Sequence, residues 1–211
     1  MNPTPSKPNT SPYRYLALGD SYTIGESVSP DERFPMILTG TLRAQGLPVE
    51  DPLILARTGW TTGELSAAID LAAPQGPFDL VTLLIGVNNQ YRGYEIGEYQ
   101  VEFRALLDRS IAFAGGDPGR VIVVSIPDWG VTPFASGRDG LRIADEIDAF
   151  NAVNRAEAAG AGARYVNVTG ISRRAVDDRA LIAGDGLHPA GKMYTLWVEQ
   201  ILPEALLALN K

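Results

Sequence analysis

Five short apolar runs, at residues 15–18, 53–56, 80–85, 121–126 and 165–168, punctuate the chain and leave few folds open to it. The last four lack polar alternation, as strands buried on both faces of a sheet do. The first is brief and reads as a strand from its place in the series. Amphipathic stretches lie between them, with helices expected over 34–44 and 65–71. A third helix places Phe103, Leu106, Leu107, Ile111 and Ala114 on one face and stops at Gly115-Gly116. A fourth uses Ile143, Ile147, Phe150 and Val153 and closes near Gly160. The last, over 192–209, spaces Met193, Leu196, Trp197 and Ile201 helically, and Pro203 is expected to disturb its second half. Strands alternating with helices in this way predict an α/β fold, a parallel sheet covered on both faces.

Composition narrows the function classes. A length of 211 residues with 45% apolar side chains suits one domain, placed at 13–211. A leader over 1–12, with prolines at 3, 5, 8 and 12, has too little apolar surface to pack. The absence of cysteine removes disulfides, thiolate metal sites and cysteine nucleophiles together. A net charge of -7 disfavours nucleic acid and anionic lipid as partners. The adjacent Arg173-Arg174 pair is expected on a solvated helix face. No apolar run approaches the roughly 20 residues of a membrane span. Residues 1–12 also lack the apolar centre of a signal peptide, so the expected location is cytoplasmic.

In a parallel sheet, ligands bind beyond the carboxyl ends of the strands. The first run leads into Gly19-Asp20-Ser21, where glycine permits an abrupt turn and Ser21 projects from the sheet edge. Asp20 is expected to hold that turn through local hydrogen bonds. The second run leads into Gly59-Trp60 ahead of Thr61-x-x-Glu64, which has capping-box spacing. The third leads into Gly86-Val87-Asn88-Asn89, and Asp185-Gly186-Leu187-His188 precedes the last helix.

His188 is the sole histidine. A serine hydroxyl needs a neighbouring base that titrates near neutrality, and Asp185 can fix the imidazole tautomer. Ser21, His188 and Asp185 therefore form a candidate nucleophile, base and orienting acid. The backbone N–H groups of Ser21 and Gly59 and the Asn88 amide are candidate donors to an oxyanion. Tyr91, Arg92 and Trp129 are candidate substrate contacts.

With these four blocks in order, the sequence resembles the SGNH (GDSL-type) esterase family. The blocks span residues 19 to 188, nearly the whole domain. The resemblance implies a flavodoxin-like three-layer α/β/α fold with a five-stranded sheet. It also implies no metal or organic cofactor, and the roles just given for Ser21, Gly59, Asn88, Asp185 and His188. One departure is Asn89, where the family often has Asp; it alters a supporting hydrogen bond of that loop. Thr23 also stands where a Gly-x-Ser-x-Gly elbow would end in glycine, which separates the chain from ordinary α/β-hydrolases.

The expected substrate is a small-molecule ester. No lid or long apolar insertion is visible, which favours a short, acetyl-type acyl chain over the lysophospholipid and thioester substrates of other members. Two rival readings remain at this level. In one, the Ser21–Gly25 loop of a flavodoxin-like module cradles a flavin phosphate; in the other, an inactive relative binds carbohydrate.

Overall fold

In a computed structural model of the protein, residues 11–209 are described. The leader expected over 1–12 lies outside them except for Ser11 and Pro12. Strands β1 (Tyr15–Gly19), β2 (Leu53–Ala56), β3 (Leu80–Leu84), β4 (Val121–Val124) and β5 (Arg164–Val166) form one sheet, ordered β2-β1-β3-β4-β5. Every pairing is parallel.

Burial on both faces holds for β3 and β4, and the brief β1 is equally buried. It does not hold for β2 or β5. Both are edge strands, and Leu53 is 47% exposed. An apolar run of four residues does not distinguish an edge from a centre, because neighbours supply the cover. The fourth and fifth runs also leave the sheet early. Asn151 accepts from the Ile126 N–H at 2.8 Å, and Val168 stands at the entry to the next helix.

The helices are α1 (Ser21–Ile24), α2 (Phe34–Ala44), α3 (Thr62–Ala72), α4 (Val87–Tyr91), α5 (Ile96–Phe113), α6 (Gly140–Ala161), α7 (Thr169–Arg173) and α8 (Gly191–Leu209). Right-handed crossovers put α2, which leads from β1 to β2, on one face. The connections through α3, α5 and α6 run the other way across the sheet and cover the opposite face. Helix α8 returns to pack on α2, completing three layers.

Helix α6 closes near Gly160 as expected: it ends at Ala161, and Gly162 makes the left-handed cap. Pro203 does not interrupt α8, which continues to Leu209. Proline removes one N–H from the ladder, but Ile201, Ala205 and Ala208 are fully buried around it and hold the helix against the core. Of the arginine pair, Arg174 is exposed as expected and Arg173 is not. Arg173 reaches inward to Asp128 at 2.8 Å, a carboxylate whose side chain is 1% exposed, and also pairs with Asp148.

Close approach at the end of β1 requires glycine. A Cβ at Gly19 would lie 2.4 Å from the Leu84 carbonyl oxygen and 2.2 Å from Thr23 Oγ1. The backbone contact cannot yield without parting β1 from β3. Gly19→Ala is expected to lower unfolding stability by about 2–4 kcal/mol, read by denaturant titration. An unchanged midpoint would show that the strands can separate at no cost.

Candidate active site

The strand order reverses at β1, whose neighbours β2 and β3 lead away through opposite faces. That switch point opens a crevice at the carboxyl edge, and three of the four sequence blocks sit on it.

The first block turns directly into α1. Asp20 is its N-cap and accepts from the Tyr22 N–H at 3.0 Å, which leaves Ser21 as the first helical residue. Burial pushes the Asp20 carboxyl up to about 7, against the hydrogen bonds from the N–H groups of Tyr22 and Asp20. Its Oδ2 is buried without a partner among the described residues. The N–H groups of Thr23 and Ile24 bond to the Asp20 carbonyl, and those of Gly25 and Glu26 bond to the Ser21 carbonyl. The N–H groups of residues 22–26 are thus consumed, so a phosphate cradle on this loop, as the flavin-binding reading requires, lacks most of its donors.

The second and third blocks are tied together. Gly59 adopts φ 86°, and Thr61 caps α3 with the expected reciprocal Glu64 bonds. Asn88 donates to the Trp60 carbonyl at 2.9 Å. That bond fixes the amide plane and leaves its second N–H available. Asn89 accepts from the Thr62 N–H at 3.1 Å and donates to the Thr62 hydroxyl at 2.7 Å. That hydroxyl in turn bonds to Glu102. The amide at 89 is therefore a two-way clamp between α4 and the start of α3, a pairing that a carboxylate would make only in part.

In the fourth block the carboxylate folds back on its own turn. Asp185 Oδ1 accepts from the N–H groups of Leu187 at 2.9 Å and His188 at 3.0 Å. Its Oδ2 meets His188 Nδ1 at 2.5 Å and the Ser27 hydroxyl at 2.8 Å. Partial burial pushes this carboxyl up. The hydrogen bonds from His188, Leu187 and Ser27 outweigh it and hold the group well below the usual carboxylate range. An ionised Asp185 can only accept a hydrogen bond, so the ring proton sits on Nδ1 and donates to Oδ2, which leaves Nε2 as the free face of the ring. The edge of Tyr22 packs on His188 with ring centres 5.6 Å apart.

Ser21, Gly59, Asn88, Tyr91, Trp129 and His188 all line one cavity of about 180 Å³. Among the described residues no hydrogen bond yet joins the Ser21 hydroxyl to His188. Asp185 stands behind the imidazole. Arg92 is turned away from the cavity: it donates to the Gly59 carbonyl at 2.6 Å and pairs with Glu64 at 3.3 Å, so it buttresses the glycine peptide. Phe134 and Leu187 complete the apolar wall, and the sequence reading did not single them out. Phe134 sits in the turn Pro133–Ala135, well past the end of β4, where no strand-end signal reaches; Leu187 stands between Asp185 and His188. Arg138 caps the wall, its guanidinium 5.2–5.3 Å from the rings of Tyr91, Trp129 and Phe134. Beyond Tyr91 and Trp129 lies an open groove of about 630 Å³. Among the described residues no group of three His, Asp or Glu is placed to hold a metal ion, and no helix is long and apolar enough to cross a membrane.

This sheet, with these blocks on its carboxyl edge, has the architecture of an SGNH hydrolase, a class of serine enzymes acting on ester bonds. Residues 17–196 match the GDSL-like Lipase/Acylhydrolase family, and the chain belongs to it. Among solved structures, TesA is similar at 20% identity with a TM-score of 0.72, over 93% of this chain and 99% of that one. The psychrotrophic esterase EstA from Pseudoalteromonas sp. is similar at 18% identity and a TM-score of 0.70, over 94% and 99%. Axe2, an acetylxylan esterase from Geobacillus stearothermophilus, is similar at 18% identity and a TM-score of 0.69, over 92% and 94%. No curated protein matches the sequence.

The Asp20 environment has a measurable consequence. Its carboxyl is raised in the folded state to about 7, from about 3.9 in the unfolded chain. The stability it contributes is therefore complete below about pH 4 and lost as pH rises through 7. Asp20→Asn removes this term, so the variant's stability relative to wild type is expected to climb between pH 4 and pH 7 by on the order of a few kcal/mol. Urea unfolding at a series of pH values measures it, and a constant difference would contradict a carboxyl that stays protonated in the fold.

Proposed function

We propose that the protein hydrolyses short-chain acyl esters through a Ser21–His188–Asp185 triad and an acyl-enzyme intermediate. The observation that carries this reading is that His188, hydrogen-bonded to Asp185 at 2.5 Å, lines the same cavity as Ser21. Asp185, held ionised, keeps the proton on Nδ1 and stabilises the imidazolium that forms during turnover. Nε2 takes the Ser21 proton as Oγ attacks the ester carbonyl. In this reading the Ser21 hydroxyl and Nε2 come within hydrogen-bond reach when substrate binds.

The oxyanion that develops is met by the N–H groups of Ser21 and Gly59 and by the free N–H of Asn88. His188 returns the proton to the leaving alcohol, then activates a water that cleaves the acyl-Ser21 ester. Supporting the donor roles are the fixed Asn88 amide and the hold of Arg92 on the Gly59 carbonyl, one peptide along from the Gly59 N–H.

Size supports a short acyl group. At ~30 Å³ per water-sized group, a cavity of about 180 Å³ holds the reacting carbon and a few further atoms. Val87, Leu187 and Phe134 give it an apolar lining suited to a methyl or short alkyl chain. The alcohol then projects past Tyr91 and Trp129 toward the open groove.

With p-nitrophenyl esters from acetate to decanoate, the rate is expected to peak at two to four acyl carbons. Ser21→Ala and His188→Ala should each lower kcat by at least about 10³-fold, and Asn88→Ala by about 10²–10³-fold. Activity should rise with pH as the base loses its proton. A maximum at long chains would overturn the size argument, and full activity in either triad variant would overturn the mechanism.

A further inference from the structure

Ser27 belongs to none of the four sequence blocks, yet it touches the acid–base pair. Its φ is 66°, in the left-handed region where a Cβ is unfavourable and glycine or asparagine is the usual occupant. The only other non-glycine residue in that region among those described is Ala73, which terminates α3 as its C-cap. Ser27 closes no such helix. Instead its hydroxyl donates to Asp185 Oδ2 at 2.8 Å, joining positions 158 residues apart.

The loop that carries Ser27 is pinned on either side of it. The Glu26 N–H bonds to the Ser21 carbonyl at 3.0 Å and the Val28 N–H to the Gly25 carbonyl at 3.3 Å. The Glu26 carboxylate also accepts from the Thr58 hydroxyl, next to Gly59. The segment leaving the Ser21 helix is thereby fastened to the Gly59 loop by Glu26 and to the acid–base loop by Ser27.

We propose that Ser27 is a positioning residue for the hydrolytic reaction, setting through its hydrogen bond how strongly Asp185 holds the proton of His188; this rests on the triad reading. Two backbone N–H groups already orient Asp185 through Oδ1. The Ser27 hydroxyl shares Oδ2 with His188 Nδ1, so the two donors compete for the same charge. Removing the hydroxyl concentrates that charge on Nδ1–H, stabilises the imidazolium and keeps the base protonated to higher pH. The surrounding titratable groups are acids and phenols. Asp20 and Asp128 act on Tyr22, which packs against His188, while Asp20 and Glu26 act on Tyr194. Asp185 acts on both phenols as well, while Asp20 and Asp128 are common to variant and wild type.

Ser27→Gly is the discriminating variant, because glycine removes the hydroxyl while relieving the backbone. Measured with p-nitrophenyl acetate, the midpoint of the rising limb of kcat/KM should move up by about half a pH unit, a roughly threefold loss of kcat/KM on the acid side. Its thermal midpoint should equal or exceed that of wild type. Ser27→Ala should show the same pH shift at lower stability. A merely structural role would lower activity in step with stability and leave the pH profile in place, and that result overturns the proposal. A downward shift, reporting a misplaced carboxylate, overturns it as well. His188→Ala is assayed alongside. If it remains active the triad itself fails, whereas an inactive His188→Ala with unchanged Ser27 variants defeats the Ser27 proposal alone.

Discussion

The reversal of strand order at β1 is the constraint on which the site depends. Because β1 is flanked by β2 and β3, the ends of three strands reach one edge while their helices leave by opposite faces, so nothing fills the crevice between them. Gly19, Gly59 and Gly86 stand at those ends. The tight pairing of β1 with β3 admits no side chain at Gly19, and Ser21 follows within two residues at the start of a helix. The fourth block reaches the same crevice from the far end of the chain, carried on the turn before α8.

Two aspartates near that crevice are driven in opposite directions by their surroundings. Asp20 is fully buried, with one oxygen capping α1 and the other without a partner, so burial dominates and its carboxyl is pushed up. Asp185 is less buried and accepts four hydrogen bonds, which hold it down. The same side chain thus serves as a helix cap in one place and as an ionised partner for imidazole in the other. Hydrogen-bond count, more than proximity to Ser21, separates the two roles.

Much of this was legible in the chain because its signals were local. Five apolar runs located five strands, and Thr61-x-x-Glu64 marked the start of α3 with both reciprocal bonds in place. The serine, glycine, asparagine and histidine blocks fell where strand ends and a helix entry were expected, and Ser21, Gly59, Asn88 and His188 share a cavity. What escaped depended on distant partners. Edge placement of β2 and β5 follows from strand order, which short apolar runs do not encode. The inward reach of Arg173 required Asp128, 45 residues earlier, to be buried beside it. Arg92 stood close to Asn88 in sequence, but Gly59 and Glu64 draw it away from the cavity. Pro203 reads as a breaker locally, whereas packing around it keeps α8 intact. Ser27 carried no motif, and its bond spans most of the chain.

The central claim is that Ser21 is a nucleophile activated by His188. Covalent labelling with a fluorophosphonate, followed by peptide mass spectrometry, tests it most directly, since the reagent marks a hydroxyl only where a base and an oxyanion site act together. One stoichiometric adduct on Ser21 is expected in the wild-type protein, with loss of labelling in His188→Ala. An adduct on another residue, or undiminished labelling of Ser21 without His188, would contradict it.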